Sequence, residues 1–227
     1  MVILQYVSLI FFFAFSAVHL YHSWKDDGEN RKKTKPFLLL FLLAFYIFGT
    51  LAGDERLNRE LVLALLTSWL GDVLLIPKGH VWFTVGGISF GASHIFFILV
   101  YTSHIVFQGL PLWLLIPVAL LYYGIAFAVI RAVSPTTPKI MVGPMYLYLL
   151  ANATMNVFAL MQLLTNHSAG ALIAFFGAVL FFISDCTLFL VRYYKKNENL
   201  IFHKHFTVML TYLLGEFLIV LGVMLQA

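Results

Sequence analysis

The segment that decides the fold is residues 169–196, "AGALIAFFGAVLFFISDCTLFLVRYYKK". Its apolar part is long enough to cross a bilayer core, which needs about 17–25 residues of α-helix. One carboxyl group, that of Asp185, interrupts the apolar run. The run ends at Arg192, Lys195 and Lys196, and basic residues of this kind mark the cytoplasmic end of a membrane helix. The segment therefore predicts a transmembrane helix that carries a buried aspartate.

The composition of the whole chain extends this prediction to a polytopic membrane protein. Of its 227 residues, 62% are hydrophobic and 11% are charged, with a mean hydropathy of +0.93. A soluble domain carries about 25% charged residues. The net charge of +4 therefore does not indicate a nucleic-acid partner, and its distribution over the loops matters more than its sum. The single cysteine, Cys186, cannot form a disulfide within the chain.

The spacing of the apolar runs predicts an all-α integral membrane protein with eight transmembrane helices. We expect residues 1–227 to form a single polytopic membrane domain. Short breakers separate some of the runs, and Pro77 and Gly79 indicate a turn between the third and the fourth. The predicted spans are 2–22, 36–53, 59–76, 81–102, 111–131, 141–164, 169–191 and 205–226.

Loop charges predict the orientation of these spans. The loops after the odd-numbered spans hold twelve Lys and Arg residues, and those after the even-numbered spans hold two, Arg56 and Arg59. Because cytoplasmic loops are enriched in basic residues, we expect the odd loops to face the cytoplasm. Both termini are then non-cytoplasmic.

This orientation predicts a polar region in the cytoplasmic half of the membrane. Asp72 lies five residues before Pro77, about 7 Å from the cytoplasmic end of its span at about 1.5 Å per residue. Asp185 lies seven residues before Arg192, about 10 Å deep by the same rise. The two aspartates are expected to line one pocket. The other polar candidates for this region are Lys35, His94, Asn152, Tyr212 and Glu216.

A weak internal similarity accompanies the two aspartates. Gly71-Asp72 and Ser184-Asp185 pair a small residue with an aspartate on spans of the same direction, and Pro36 and Pro144 open the spans before them. This pattern is typical of a parallel four-plus-four repeat. The identity is thin, so a chain without internal symmetry also fits.

Function and structure compete as explanations for these residues. An ionised carboxylate at membrane depth costs roughly 2.5–3.5 kcal/mol on insertion scales, so each aspartate is a candidate functional group. The alternative is an aspartate that hydroxyl or backbone groups hold for helix packing. His94 follows a run of small residues and could equally be a packed histidine, while Lys35 could be an interfacial anchor or a phosphate ligand.

No metal or other cofactor is expected. The chain contains no His-Glu-x-x-His motif and no cysteine pair, and His19, His22, His203 and His205 fall at predicted helix ends, where histidines are common. A serine nucleophile is not indicated either, because the chain lacks a Gly-x-Ser-x-Gly elbow.

At these residues the chain resembles the YhhN/transmembrane protein 86 family, whose characterised members are lysoplasmalogenases. The resemblance covers most of the chain. It departs from the family at Glu216, where glutamine is expected, and at Cys186, where a small hydroxyl residue is expected. It rests on "KPFLLLFLL", "SWLGDVLLI", "GGISFGASHIFFILVY", "FFGAVLFFISDCTLFLVRYY" and "FTVMLTYLLGEFLI".

The resemblance implies an ether hydrolase of lipid metabolism. Its substrate would be a lysophospholipid, lysoplasmalogen, whose vinyl ether bond is hydrolysed to a fatty aldehyde and glycerophosphoethanolamine or glycerophosphocholine. Asp72 and Asp185 would be catalytic, by a logic that parallels glycoside hydrolysis. We expect Asp185 to be the acid and Asp72 the base, with the lipid phosphate near Lys35. Substrate contacts would come from Lys35, His94, Asn152, Tyr212 and Glu216.

Two further classes of function remain open. A small proton-coupled transporter would use Asp72 and Asp185 as proton carriers, although the predicted outer half of the membrane offers few polar groups. A lipid-binding or scaffolding protein would carry structural aspartates. Because the sequence carries no recognisable targeting signal and is compact, we expect a multi-pass protein of a bacterial inner membrane, with its site toward the cytoplasm.

Overall fold

A computed structural model describes residues 1–197 and 199–226 of the chain. These residues contain no β-strand, which confirms the predicted all-α class. A turn of 3-10 helix, Ser134–Thr136, follows the fifth α-helix. The eight α-helices of the described residues are α1 Val2–Trp24, α2 Gly28–Ala52, α3 Arg59–Leu74, α4 His80–Thr102, α5 Leu112–Val133, α6 Lys139–Asn166, α7 Ala169–Tyr193 and α8 Lys204–Met224.

Seven of these helices are long and apolar enough to cross a membrane, and α3 is the exception. It has 16 residues, or about 24 Å at about 1.5 Å per residue, against a hydrocarbon core of about 30 Å. The chain is thus a multi-pass helical protein. The eighth span and the outward position of the termini stay predictions.

Two compact units divide the chain, an N-terminal unit of residues 1–100 and a C-terminal unit of residues 101–226. The first contains α1 to α3 and all but the last two residues of α4, and the second contains α5 to α8. Each unit thus has about four helices, as a four-plus-four repeat requires. The repeat itself and the single polytopic domain over residues 1–227 stay predictions.

The start of α2 differs from the prediction. The helix begins at Gly28, not at residue 36, and Pro36 lies inside it. Asp27 caps the helix, since its side chain accepts a hydrogen bond from the backbone N–H of Asn30. Hydrogen bonds from Asn30 hold the pKa of Asp27 below its usual range. A capped run of charged residues, which are good helix formers, therefore extends the helix by two turns before the proline.

The start of α6 also differs from the prediction. The expectation that Pro144 opens its span is wrong, because the helix begins at Lys139 and Pro144 lies within it. Pro144 is the sixth residue of the helix and has no backbone N–H, so the carbonyl oxygen of Ile140 lacks its usual helical donor.

The close approach of two helix backbones fixes the core of the C-terminal unit. A Cβ atom at Gly177 would lie 2.7 Å from the carbonyl oxygen of Gly215, and one at Gly215 would lie 2.9 Å from that of Gly177. Only glycine allows α7 and α8 to cross at this distance. The crossing places the polar part of α7 beside the first half of α8.

Candidate active site

In the N-terminal unit, a buried ion pair joins α2 to α3. Asp72 lies near the end of α3 and is 2% exposed. The Lys35 ammonium of α2 lies 3.1 Å from its Oδ1 atom. Because an isolated buried charge costs several kcal/mol, the lysine supplies the neutralisation that Asp72 needs in an apolar bundle. The predicted site residues Lys35 and Asp72 thus belong to one group.

Short contacts around the ion pair hold α3 in register with α2. The indole Nε1–H of Trp69 donates to the backbone oxygen of Pro36 at 2.8 Å, one residue from Lys35. Gly71 lies so close to the ring of Phe90 that a Cβ atom there would come within 2.5 Å of it. The small residue before Asp72 therefore lets α4 pack directly behind the carboxylate.

Serine hydroxyls join α3 to α4 on this side of the unit. The Ser68 and Ser93 hydroxyls share a hydrogen bond of 2.6 Å, and Ser89 donates to the backbone oxygen of Thr67 at 2.7 Å. His94 follows Ser93 and is fully buried. These contacts account for the two serines in the run of small residues of α4, because serines between closely packed helices satisfy their hydroxyls across the interface.

In the C-terminal unit, an asparagine amide donates to the buried aspartate. Asp185 of α7 is 4% exposed. The side-chain amide of Asn152, from α6, donates to its Oδ2 atom at 2.6 Å. The predicted site residues Asn152 and Asp185 therefore form a second group, in which an amide N–H donates to the carboxyl group.

A second asparagine orients this donor, and the sequence reasoning missed it. The amide of Asn156 donates to the side-chain oxygen of Asn152 at 3.0 Å and to its backbone oxygen at 3.1 Å. The amide nitrogen of Asn152 therefore faces Asp185. The polar chain Asn156–Asn152–Asp185 is aligned donor to acceptor, and such chains polarise each other. The spacing of four residues between the asparagines was the signal that could have revealed it.

The polar end of α7 packs against α8, which carries two further predicted site residues. The hydroxyl of Ser184, which precedes Asp185, donates to the backbone oxygen of Val208 at 2.9 Å and ties α7 to α8. Tyr212 is buried against Phe181, with ring centroids 5.4 Å apart at 66°. Glu216 lies one turn further along α8 and is fully buried. Burial of these two predicted site residues is as expected, while their contact with a substrate stays a prediction.

Two of the four histidines considered as metal ligands bond to neighbouring side chains. His19 Nδ1 lies 2.7 Å from the Thr34 hydroxyl, and His22 Nδ1 lies 3.1 Å from Asp27. Within the part of the chain that the structure describes, no three His, Cys, Asp or Glu side chains form a group that could hold a metal ion.

The fold and these two polar groups define a class, a multi-pass helical membrane protein with buried aspartates on two of its helices. The model of the YhhN family matches residues 31–223, most of the chain, and the protein belongs to this family. No curated protein and no solved structure matches the chain.

Proposed function

We propose that this YhhN family protein is a lysoplasmalogenase, an ether hydrolase that acts on lysoplasmalogen from the cytoplasmic half of a bacterial inner membrane. Water and the vinyl ether give a fatty aldehyde and glycerophosphoethanolamine or glycerophosphocholine. The observation that carries the proposal is the pair of buried aspartates in a chain of this family. An aspartate in a membrane helix is a functional candidate by default, and vinyl ether hydrolysis needs acid–base groups.

In the proposed mechanism Asp185 donates a proton. The proton goes to the alkenyl carbon that is not bonded to oxygen, and an oxocarbenium ion forms on the neighbouring carbon. The Asn152 amide supports this role, because an N–H donor can bond to a carboxylate or to the carbonyl oxygen of a carboxylic acid. The same contact therefore persists before and after the proton leaves.

Asp72 activates the water in this mechanism. The Lys35 ammonium balances the negative charge of the carboxylate, which keeps an acceptor of protons available in an apolar environment. Water adds to the oxocarbenium carbon and gives its proton to a carboxylate. The bond from the hemiacetal carbon to the glycerol oxygen then breaks, this oxygen takes up the hydroxyl proton and leaves as an alcohol, and the aldehyde remains. The proton released by the water restores the acid. This division of roles parallels that of two carboxyl groups in glycoside hydrolysis.

Aldehyde release by purified protein tests the proposal. Wild-type protein in lipid nanodiscs is incubated with lysoplasmalogen, and an added alcohol dehydrogenase reports the aldehyde through oxidation of NADH. We expect Asp72→Asn and Asp185→Asn each to lower the rate by about 10²–10⁴-fold, the range for loss of a general acid or base.

Asp54→Asn is the matched control. Asp54 is exposed and has a φ of 55°, a backbone conformation that asparagine also adopts. Wild-type rates in this variant are expected. Full activity in both Asp72→Asn and Asp185→Asn overturns the mechanism, and proton-driven solute uptake into proteoliposomes without aldehyde release favours the transporter.

A further inference from the structure

The two mostly buried cations of α2 have carboxylate partners of different kinds. Lys35 and Arg31 are one turn apart, with side chains 17% and 18% exposed. The partner of Lys35 is Asp72, whose side chain is 3% exposed. The partner of Arg31 is Asp26, at 3.3 Å, whose side chain is 77% exposed. An ion pair with an exposed carboxylate contributes little to stability, so a second anion can replace Asp26 at small cost.

Polar groups of α1 line the same end of the α1–α2 pair. His19, on the buried face of α1, contacts Thr34 of α2. The two helices are joined by a short turn, and Ser23 lies on the same face of α1 one turn nearer that turn than His19, as Arg31 lies about one turn nearer it than Thr34. The Ser23 hydroxyl is buried and has no hydrogen-bond partner among the residues that the structure describes.

We propose that the phosphate of the lysophospholipid substrate binds to the guanidinium of Arg31, displacing Asp26, with the Ser23 hydroxyl as a second donor. This inference rests on the proposed function and deepens it, since it moves the expected phosphate ligand from Lys35 to Arg31. Lys35 is engaged by Asp72, and a phosphate there would compete with the carboxylate. An arginine presents two parallel N–H donors to a phosphate, which a lysine does not.

The charge around Arg31 suits the phosphate of the headgroup. Five basic and three acidic residues lie in positions 25–35. Lys32 pairs with Glu29, while Lys33 is exposed and donates to the side-chain oxygen of Asn30. The bound phosphate would lie one turn of α2 from Lys35, so the glycerol and the vinyl ether could extend from Arg31 toward the Lys35–Asp72 pair.

A comparison of two substrates tests the site. One is lysoplasmalogen, and the other is the 1-alkenylglycerol with the same tail and no phosphate. We expect Arg31→Gln to lower kcat/KM for lysoplasmalogen by about 10- to 100-fold, as for loss of a charged hydrogen-bonded contact. The value for the phosphate-free substrate is expected to stay within about twofold. Lys33→Gln removes one positive charge from the same helix and is expected to leave both values unchanged.

A binding assay separates this inference from the proposed function. The ligand is the saturated alkyl-ether lysophospholipid, which carries the same phosphate but no vinyl ether. Weaker binding in Arg31→Gln, with tighter binding in Asp26→Asn, supports the site even if wild-type protein cleaves no vinyl ether. Unchanged binding in both variants overturns it, and so does equal weakening by Arg31→Gln and Lys33→Gln.

Competition distinguishes the headgroup from free phosphate. Displacement of the alkyl-ether ligand by glycerophosphoethanolamine, but not by the same concentration of inorganic phosphate, supports a headgroup site. Equal displacement by inorganic phosphate overturns that assignment.

Discussion

The two units of the chain hold their aspartates in different ways. In both, the second helix of the unit supplies the partner and the third supplies the carboxyl group, near its C-terminal part. Asp72 pairs with a lysine, and Asp185 accepts from an asparagine that a second asparagine orients. The same arrangement of helices thus places a lysine beside one carboxyl group and a chain of two amides beside the other, and these are the groups proposed above as base and acid.

The partners also differ in register. Lys35 directly precedes Pro36 of its helix, whereas Asn152 follows Pro144 by two turns. If the halves descend from a repeat, the polar partner has changed position as well as type. Matched substitutions in the two units, compared by the same measurement, therefore test this difference most directly.

Loss of the charged partner should have the larger effect. Lys35→Met leaves the Asp72 carboxylate buried without its counter-ion, and we expect a loss of about 3–5 kcal/mol in the free energy of unfolding. Asn152→Leu removes one donor from Asp185 and should cost about 1–3 kcal/mol. Denaturation in detergent micelles measures both. As a control, we expect the double variant Lys35→Met/Asp72→Asn to regain most of the free energy of unfolding that Lys35→Met loses. Equal losses in Lys35→Met and Asn152→Leu would contradict the difference between the two units.

The glycines of the two units should respond unequally to a methyl group. In Gly177→Ala the new Cβ would meet the backbone oxygen of Gly215 at 2.7 Å, and in Gly71→Ala it would meet the ring of Phe90 at 2.5 Å. A ring can shift more easily than a helix backbone. We expect a cost of about 2–3 kcal/mol at Gly177 and about 1 kcal/mol at Gly71, within the range for overpacking. Thermal melting of the two variants tests this expectation. A greater loss of stability in Gly71→Ala than in Gly177→Ala would contradict it.

The orienting asparagine of the C-terminal unit should affect activity more than stability. Asn156→Leu removes the donor that fixes the Asn152 amide, so we expect aldehyde release to fall by about 10-fold while stability falls by about 1 kcal/mol. Thr154→Val, on the same helix, is the control, since the Thr154 hydroxyl bonds to the backbone of its own helix and to Tyr123. Wild-type activity in Asn156→Leu would show that the amide chain has no catalytic part.

The smallest effect is expected at the α1–α2 turn. The lowered pKa of Asp27 means that its ionised form stabilises the fold above the unfolded pKa, near 3.8, and that this contribution is lost as the pH falls through the folded value. In Asp27→Asn, the melting temperature should therefore depend less steeply on pH below about pH 4 than in the wild-type protein. An unchanged slope would assign the acid dependence to other carboxyl groups.

Hydropathy predicted the eight helices, but it misplaced the N-terminal boundary of a helix that begins with charged residues. Apolar runs determined the eight helices, and the buried Asp72, His94, Asp185 and Glu216 were recognisable as polar residues within them. The extension of α2 was missed because its first two turns are charged, so hydropathy gave no signal there. The Lys35–Asp72 and Asn152–Asp185 contacts depend on helix register, and hydropathy carries no information on register.

Hydrolysis of lysoplasmalogen in deuterium oxide tests the central claim most directly. Aldehyde is reduced to the alcohol as it forms and examined by mass spectrometry. If a proton is donated to the alkenyl carbon, the alcohol made by wild-type protein carries one deuterium on the carbon next to the former aldehyde. We expect Asp185→Asn to form this product at least about 10²-fold more slowly. Wild-type product without that deuterium, or Asp185→Asn and Asp72→Asn proteins that form it at the wild-type rate, would contradict carboxyl acid–base catalysis.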